Sequence, residues 1–114
     1  MPGAYVPARG DIIWLDFNPQ AGHEQAGHRP ALVLTGQRYN RVTGMAICCP
    51  ITTRPKGYPF EVPLGASASI TGAVLSDQAK SLDWRARNAK RATRVTPEIL
   101  ADVTHRVTVL ISSN

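Results

Sequence analysis

Glu24, His28 and Arg29 place three groups able to handle a phosphate within the short stretch Glu24-Gln25-Ala26-Gly27-His28-Arg29-Pro30. They supply a carboxylate, an imidazole, which titrates near neutrality, and a guanidinium, which keeps its proton throughout the biological pH range. Pro30 lacks a backbone donor and pushes the residue before it toward an extended conformation. Arg29 therefore reads as a cation held at the junction between a polar, glycine-punctuated loop, 18–29, and a strand, 31–34. Further along, Thr52 and Thr53 end the apolar run Met45-Ala46-Ile47-Cys48-Cys49-Pro50-Ile51, with Arg54 and Lys56 just beyond. A hydroxyl at a strand end and cations beside it complete a set suited to phosphate chemistry.

That set holds no convincing protein nucleophile. Cys48 and Cys49 are adjacent inside an apolar run, a poor arrangement for a structural disulfide, and read as core thiols in a reducing compartment. No nucleophile elbow is present, His105 reads as an ordinary helix residue and His23 as a solvated loop residue. The acids are scattered singly rather than at ligand spacing, so no metal and no other cofactor is expected. A site of this kind suits a substrate carrying its own nucleophile, and the 2′-hydroxyl of RNA is one. The protein then has to align that oxygen with the phosphate, stabilise the charge building on the phosphoryl oxygens and move protons. Arg29 fits the stabilising part through bidentate contact, and His28 is a candidate proton carrier.

The elements that must position these groups are short. Gly10-Asp11-Ile12-Ile13-Trp14-Leu15-Asp16-Phe17 predicts a first strand, rich in β-branched and aromatic residues. The stretch 18–29, almost without aliphatic residues, predicts a mobile loop, and 31–34 a second strand. Residues 39–44 read as a connector of about one helical turn. The run 45–53 lacks alternation and predicts a strand covered on both faces, with a bulge or edge at Pro50. Further strands are expected at 60–64 and 73–76, and many short strands between turn formers imply a small barrel or sandwich. The segment 77–94 reads as a basic surface, with Lys80, Arg85, Arg87, Lys90, Arg91 and Arg94 set against Asp77 and Asp83, and with Trp84 embedded in it. Thr96 as N-cap, Pro97 at the first helical position and Ile99, Val103, Val107 and Ile111 at four-residue spacing predict a C-terminal amphipathic helix packed on the sheet.

At 114 residues, a single domain spanning 1–114 is expected, large enough to bury roughly 65% of its unfolded surface. Thirteen Lys and Arg against eight Asp and Glu give a net charge of +5, which favours a polyanionic partner. No apolar stretch approaches the roughly 20 residues needed to cross a bilayer, and the N-terminus has neither a basic nor a hydrophobic leader region, so a cytoplasmic location is expected.

The segments Gly10-Asp11-Ile12-Ile13-Trp14, Glu24-Gln25-Ala26-Gly27-His28-Arg29-Pro30-Ala31, Pro50-Ile51-Thr52-Thr53, Lys56-Gly57-Tyr58-Pro59-Phe60-Glu61-Val62 and Asp77-Gln78-Ala79-Lys80-Ser81 resemble the MazF/PemK family of toxin endoribonucleases. The resemblance runs through nearly the whole chain in order. It implies a mainly-β fold, a small SH3-like barrel of the PemK/CcdB type, and a homodimer. It also implies metal-independent cleavage of single-stranded RNA at short motifs, and a cognate acidic, MazE-like antitoxin that closes the groove. Carried over by residue, Arg29 and Thr52 match the catalytic pair and Glu24 and Lys56 match substrate-groove positions; His28, Thr53, Asp77, Gln78, Lys80 and Arg87 are expected to bind RNA beside them. His23 and Ile51 depart from the family pattern at positions that could alter base preference. Two other readings stand beside this one: a non-catalytic RNA-binding barrel, which would not need Thr52, and a toxin of the same architecture that poisons DNA gyrase.

Overall fold

A computed structural model describes residues 4–17, 27–65 and 69–113 of the chain. Seven antiparallel strands make one sheet: β1 (Asp11–Phe17), β2 (Gly27–Val33), β3 (Met45–Thr52), β4 (Glu61–Pro63), β5 (Ala73–Leu75), β6 (Lys80–Asp83) and β7 (Lys90–Arg94). Two helices complete the fold, α1 (Gln37–Thr43) between β2 and β3, and α2 (Pro97–Ser112) at the end. The strand path runs β4-β5-β3-β2-β1-β7, with β6 also paired to β3. It is a mainly-β, barrel-like arrangement whose sheet does not close on itself.

Residues that alternate along each strand feed two cores. Ile12, Leu32, Cys49, Ile51, Val62, Leu64 and Val74 pack on one face with Val103 of α2. Ile13, Leu15, Ala31, Val33, Ala46 and Cys48 pack on the other with Leu82 and Trp84. Because both faces are covered, β3 shows no simple apolar-polar alternation, as its sequence implied. Cys48 and Cys49 point into opposite cores as free, buried thiols, each pushed up to about 12, by burial first and then by a nearby group, Cys49 for Cys48 and Asp77 for Cys49. Thiols so shifted stay protonated at neutral pH and offer no nucleophile.

Pro50 sits at a break in pairing rather than in a bulge. On one side β3 pairs with β6 up to Cys48↔Lys80 and with β5 from Ile51↔Val74, so a residue without an N–H is tolerated between the two partners. On the other side Pro50 lies opposite Ala31 of β2.

The expected second strand begins earlier than its apolar core suggests. β2 starts at Gly27 and pairs with β1 through Asp16↔His28, Leu15↔Arg29 and Trp14↔Pro30, so His28 and Arg29 are strand residues and not loop residues. Cross-strand pairing supplies what the polar local sequence does not. Of the expected loop, 18–26 lies outside the described residues, and so do Glu24 and His23.

The basic stretch 77–94 is likewise more structured than its composition implies. It contains the end of a 3₁₀ turn (Ser76–Gln78), then β6 and β7. Trp84 is a core residue whose Nε1 donates to the Asn40 carbonyl at 3.0 Å, and Arg85 lies over its ring at 4.9 Å while donating to the Arg41 carbonyl. Arg85 therefore packs on Trp84 while its side chain stays exposed to solvent. Arg87 donates from Nη1 to the Asp16 carbonyl, and the Asp16 N–H donates back to the Arg87 carbonyl.

α2 has the expected start, with Thr96 Oγ1 accepting from Ile99 N and Pro97 in the first turn. Val103 is fully buried and Ile99 and Val107 pack against the core, but Ile111 is 79% exposed. The last turn of the helix also leaves Val109 and Leu110 exposed. Among the described residues no helix is long and apolar enough to cross a membrane.

Candidate active site

β2, β3 and the 3₁₀ turn converge on one surface. Arg29 and His28 leave β2, Thr52 is the last residue of β3, and Gln78 closes the 3₁₀ turn after β5. These four residues line a single cleft of about 730 Å³, together with Trp14, Thr53 and Arg54. Two smaller clefts continue it. One, of about 210 Å³, shares Arg29 and Gln78 and extends to Lys80. The other, of about 240 Å³, shares Thr52, Arg54 and Gln78 and extends past Lys56 and Asp77 to Tyr58. The three form a band lined by four cations, Arg29, Arg54, Lys56 and Lys80, and by two carboxylates, Glu61 and Asp77. A cleft of one dominant sign between low-dielectric walls concentrates an anionic chain.

The fold orients each group. Thr52 Oγ1 accepts the Arg54 N–H at 3.1 Å, which holds the hydroxyl oxygen in place and leaves its O–H to donate toward a ligand. His28 Nε2 stands 3.4 Å from Asp16 Oδ1, and its ring meets Trp14 edge-on at 6.4 Å. The carboxylate and the indole thus limit how the imidazole turns. Glu61, nearly buried, accepts from the N–H groups of Lys56 and Gly57 and anchors the segment that carries Lys56.

A further residue holds Thr52 and was not evident from the sequence. Gly72 has φ +123°, and a Cβ there would collide with the Thr52 carbonyl oxygen. Only glycine lets β5 approach the end of β3 this closely. Gly72→Ala should lower stability by about 2 kcal/mol or more and shift the Thr52 backbone, read out as a fall in the denaturation midpoint and altered amide signals at 52–54. An unchanged midpoint would mean that the strand end absorbs the methyl. A glycine directly before a short apolar run was the available signal, but its partner strand could not be named from sequence.

Of the residues singled out by sequence, Arg29, Thr52, His28, Thr53 and Gln78 share the main cleft, and Lys80, Lys56 and Asp77 line its extensions. Arg87 does not line these three clefts, but its Nη1 donates to the carbonyl of Asp16, the residue whose carboxylate faces His28. Glu24 lies outside the described residues. Among the described residues no group of three or more His, Cys, Asp and Glu could hold a metal ion.

The chain is similar along most of its length to proteins of known activity. It is 51% identical over 111 residues to the endoribonuclease toxin MazF of Escherichia coli (strain K12), covering 97% of this chain and 99% of that protein. It is 35% identical over 109 residues to the endoribonuclease PemK of Escherichia coli, covering 91% and 81% respectively. In structure it superposes on MazF from a MazE–MazF crystal structure of Deinococcus radiodurans with a TM-score of 0.92 and 49% identity, over 97% of this chain and 100% of the other. The family model for the PemK-like, MazF-like toxin of type II toxin-antitoxin systems matches residues 8–111, and the chain with Arg29 and Thr52 on one cleft belongs to that family.

Proposed function

We propose that this chain, an endoribonuclease toxin of a type II toxin-antitoxin system, cleaves single-stranded RNA at short motifs by internal attack of the 2′-hydroxyl. The observation that carries this reading is the meeting of Arg29, Thr52 and His28 on one cationic cleft. The 2′-oxygen loses its proton and bonds to the adjacent phosphorus, and the bond from phosphorus to the 5′-oxygen breaks as that oxygen takes up a proton. A 2′,3′-cyclic phosphate and a 5′-hydroxyl result. Arg29 binds two phosphoryl oxygens and stabilises the added charge, and the Thr52 hydroxyl donates to one of them. His28, restrained by Asp16 and Trp14, carries the proton. Lys56, Lys80, Thr53, Asp77 and Gln78 hold the strand on either side, and no step requires a metal ion. Glu24 and Arg87 complete the RNA-binding set.

The toxin works in the cytoplasm as one domain spanning 1–114, and as a homodimer, for which the exposed Val109, Leu110 and Ile111 of α2 offer an apolar surface. A cognate antitoxin with an acidic segment, playing the part of MazE in the MazE–MazF crystal structure of the relative, covers the cationic band and silences it. Incubating the protein with RNA of mixed sequence and sequencing the new ends tests the reading. A short motif shared by the new ends is expected. Intact RNA would leave a binding barrel or a gyrase-directed toxin in its place.

A further inference from the structure

The cleft extension between Thr52 and Tyr58 contains an aromatic pair that the cleavage chemistry does not use. Tyr58 is 51% exposed, and its ring stacks on Phe60 with centroids 5.4 Å apart and planes 28° from parallel. An exposed tyrosine on a short segment would ordinarily lose its position to rotamer freedom. Here the segment is fastened on several sides. The Glu61 carboxylate accepts from the N–H groups of Lys56 and Gly57 at 3.0 and 2.9 Å, and Glu61 N donates to the Tyr58 carbonyl at 3.0 Å. Ser76 N donates to the Phe60 carbonyl at 3.1 Å, and Arg106 of α2 donates to the Pro59 carbonyl. The backbone that carries the platform is tied down before any ligand arrives, which lowers the ordering cost at binding.

Its surroundings match a nucleotide in each part. Lys56 and Arg54 line the same extension and can meet a phosphate, while Asp77 and Gln78 can hydrogen-bond the edge of a base. The extension shares Thr52 with the main cleft, so a strand threaded through one continues into the other. From this arrangement we infer that Tyr58, backed by Phe60, is a stacking platform for the base of a nucleotide flanking the scissile phosphate, making this extension a nucleotide subsite. The inference rests on the reading that the Thr52 cleft takes RNA. Tyr58 touches no reacting atom and acts in binding and register.

The test uses the full chain and oligoribonucleotides of the cleaved sequence, blocked by a single 2′-deoxy substitution at the scissile nucleotide and shortened stepwise from either end. Tyr58→Leu should weaken binding of the longest oligonucleotide about tenfold or more, the scale for losing one base-aromatic stack, and Tyr58→Phe and Tyr58→Trp should bind as wild type does. The defect should vanish once nucleotides are removed from one end and persist when they are removed from the other. A fluorescent adenine analogue placed at that flanking position should be quenched by wild type and not by Tyr58→Leu. Equal affinity of Tyr58→Leu and wild type at every length, or a loss that is the same at every length, would overturn the subsite. Cleavage of the unblocked oligonucleotide by wild type reports separately on the underlying reading, so a failure of the subsite is distinguishable from a failure of the nuclease assignment.

Discussion

Replacing Arg29 with alanine should slow RNA cleavage by about 10² to 10³, the scale for losing one preorganised charge stabiliser in an active site. Arg29 sits within β2, opposite Leu15 of β1, so its backbone is set by a ladder and its guanidinium opens on the cleft. Preorganisation of this kind is what makes the charge worth more than a mobile surface cation. Its side chain is exposed, so the alanine variant should fold with stability within about 0.5 kcal/mol of the parent, which lets the rate be read as chemistry. Arg29→Lys should recover little, since an ammonium is a point charge and cannot bind two phosphoryl oxygens in a planar fork. Single-turnover rates at enzyme in excess would measure the effect apart from product release. Turnover within a few-fold of wild type in the alanine variant would remove Arg29 from the mechanism.

A still larger effect is expected from the substrate side. Hydrogen in place of the 2′-hydroxyl at the scissile nucleotide alone should reduce cleavage to background, because the attacking atom itself is gone. Binding should be nearly unchanged, since one hydroxyl contributes little beside the phosphate contacts of the cationic band. Chelation by EDTA should leave the rate as it was. The downstream fragment should accept label from a polynucleotide kinase directly, because internal attack expels a free 5′-hydroxyl. A metal-activated water would ordinarily leave a 5′-phosphate, and label would then enter only after phosphatase treatment. That outcome, or a reaction stopped by chelation, would reassign Arg29 and Thr52 to substrate binding.

Three parts of the molecule were legible because local physics determines them. The strand 11–17 follows from its apolar, β-branched and aromatic run, and the structure departs by a single residue from the expected start. The start of α2 follows from the side-chain cap of Thr96 and from Pro97, both of which act within one turn. Thr52 at the end of β3 follows from an apolar run that stops in polar residues. The pairing of Arg29 with Thr52 came from the resemblance of their surrounding segments to a toxin family.

Other features depend on partners distant in sequence. β2 begins at Gly27 because β1 offers it a ladder, which no polar, glycine-containing stretch reveals by itself. β7 is an edge strand rich in Lys and Arg, a composition that blunts an edge and disguises a strand. Arg85 reads as a free cation until Trp84 and the Arg41 carbonyl are found beside it. Ile111 continues the apolar spacing of α2 yet faces solvent, because periodicity reports a stripe and not how far along the helix the core covers it.

By itself, then, the sequence determined the kinds of chemical group available, the strands and the helix whose signals lie within a few residues, the excess of positive charge and the family. Only the tertiary structure decided which groups meet. Thr52 and Arg29 lie 23 positions apart along the chain and line one cleft because β2 and β3 pair through Ala31↔Pro50. Gly72 matters because β5 pairs with the end of β3 and brings Gly72 against the Thr52 carbonyl, and Tyr58 became a platform because Glu61, Ser76 and Arg106 fasten its turn from three different elements. Contacts of this sort depend on register and close approach between segments, and a linear pattern of residue types carries the propensity of each segment but not the geometry of their meeting.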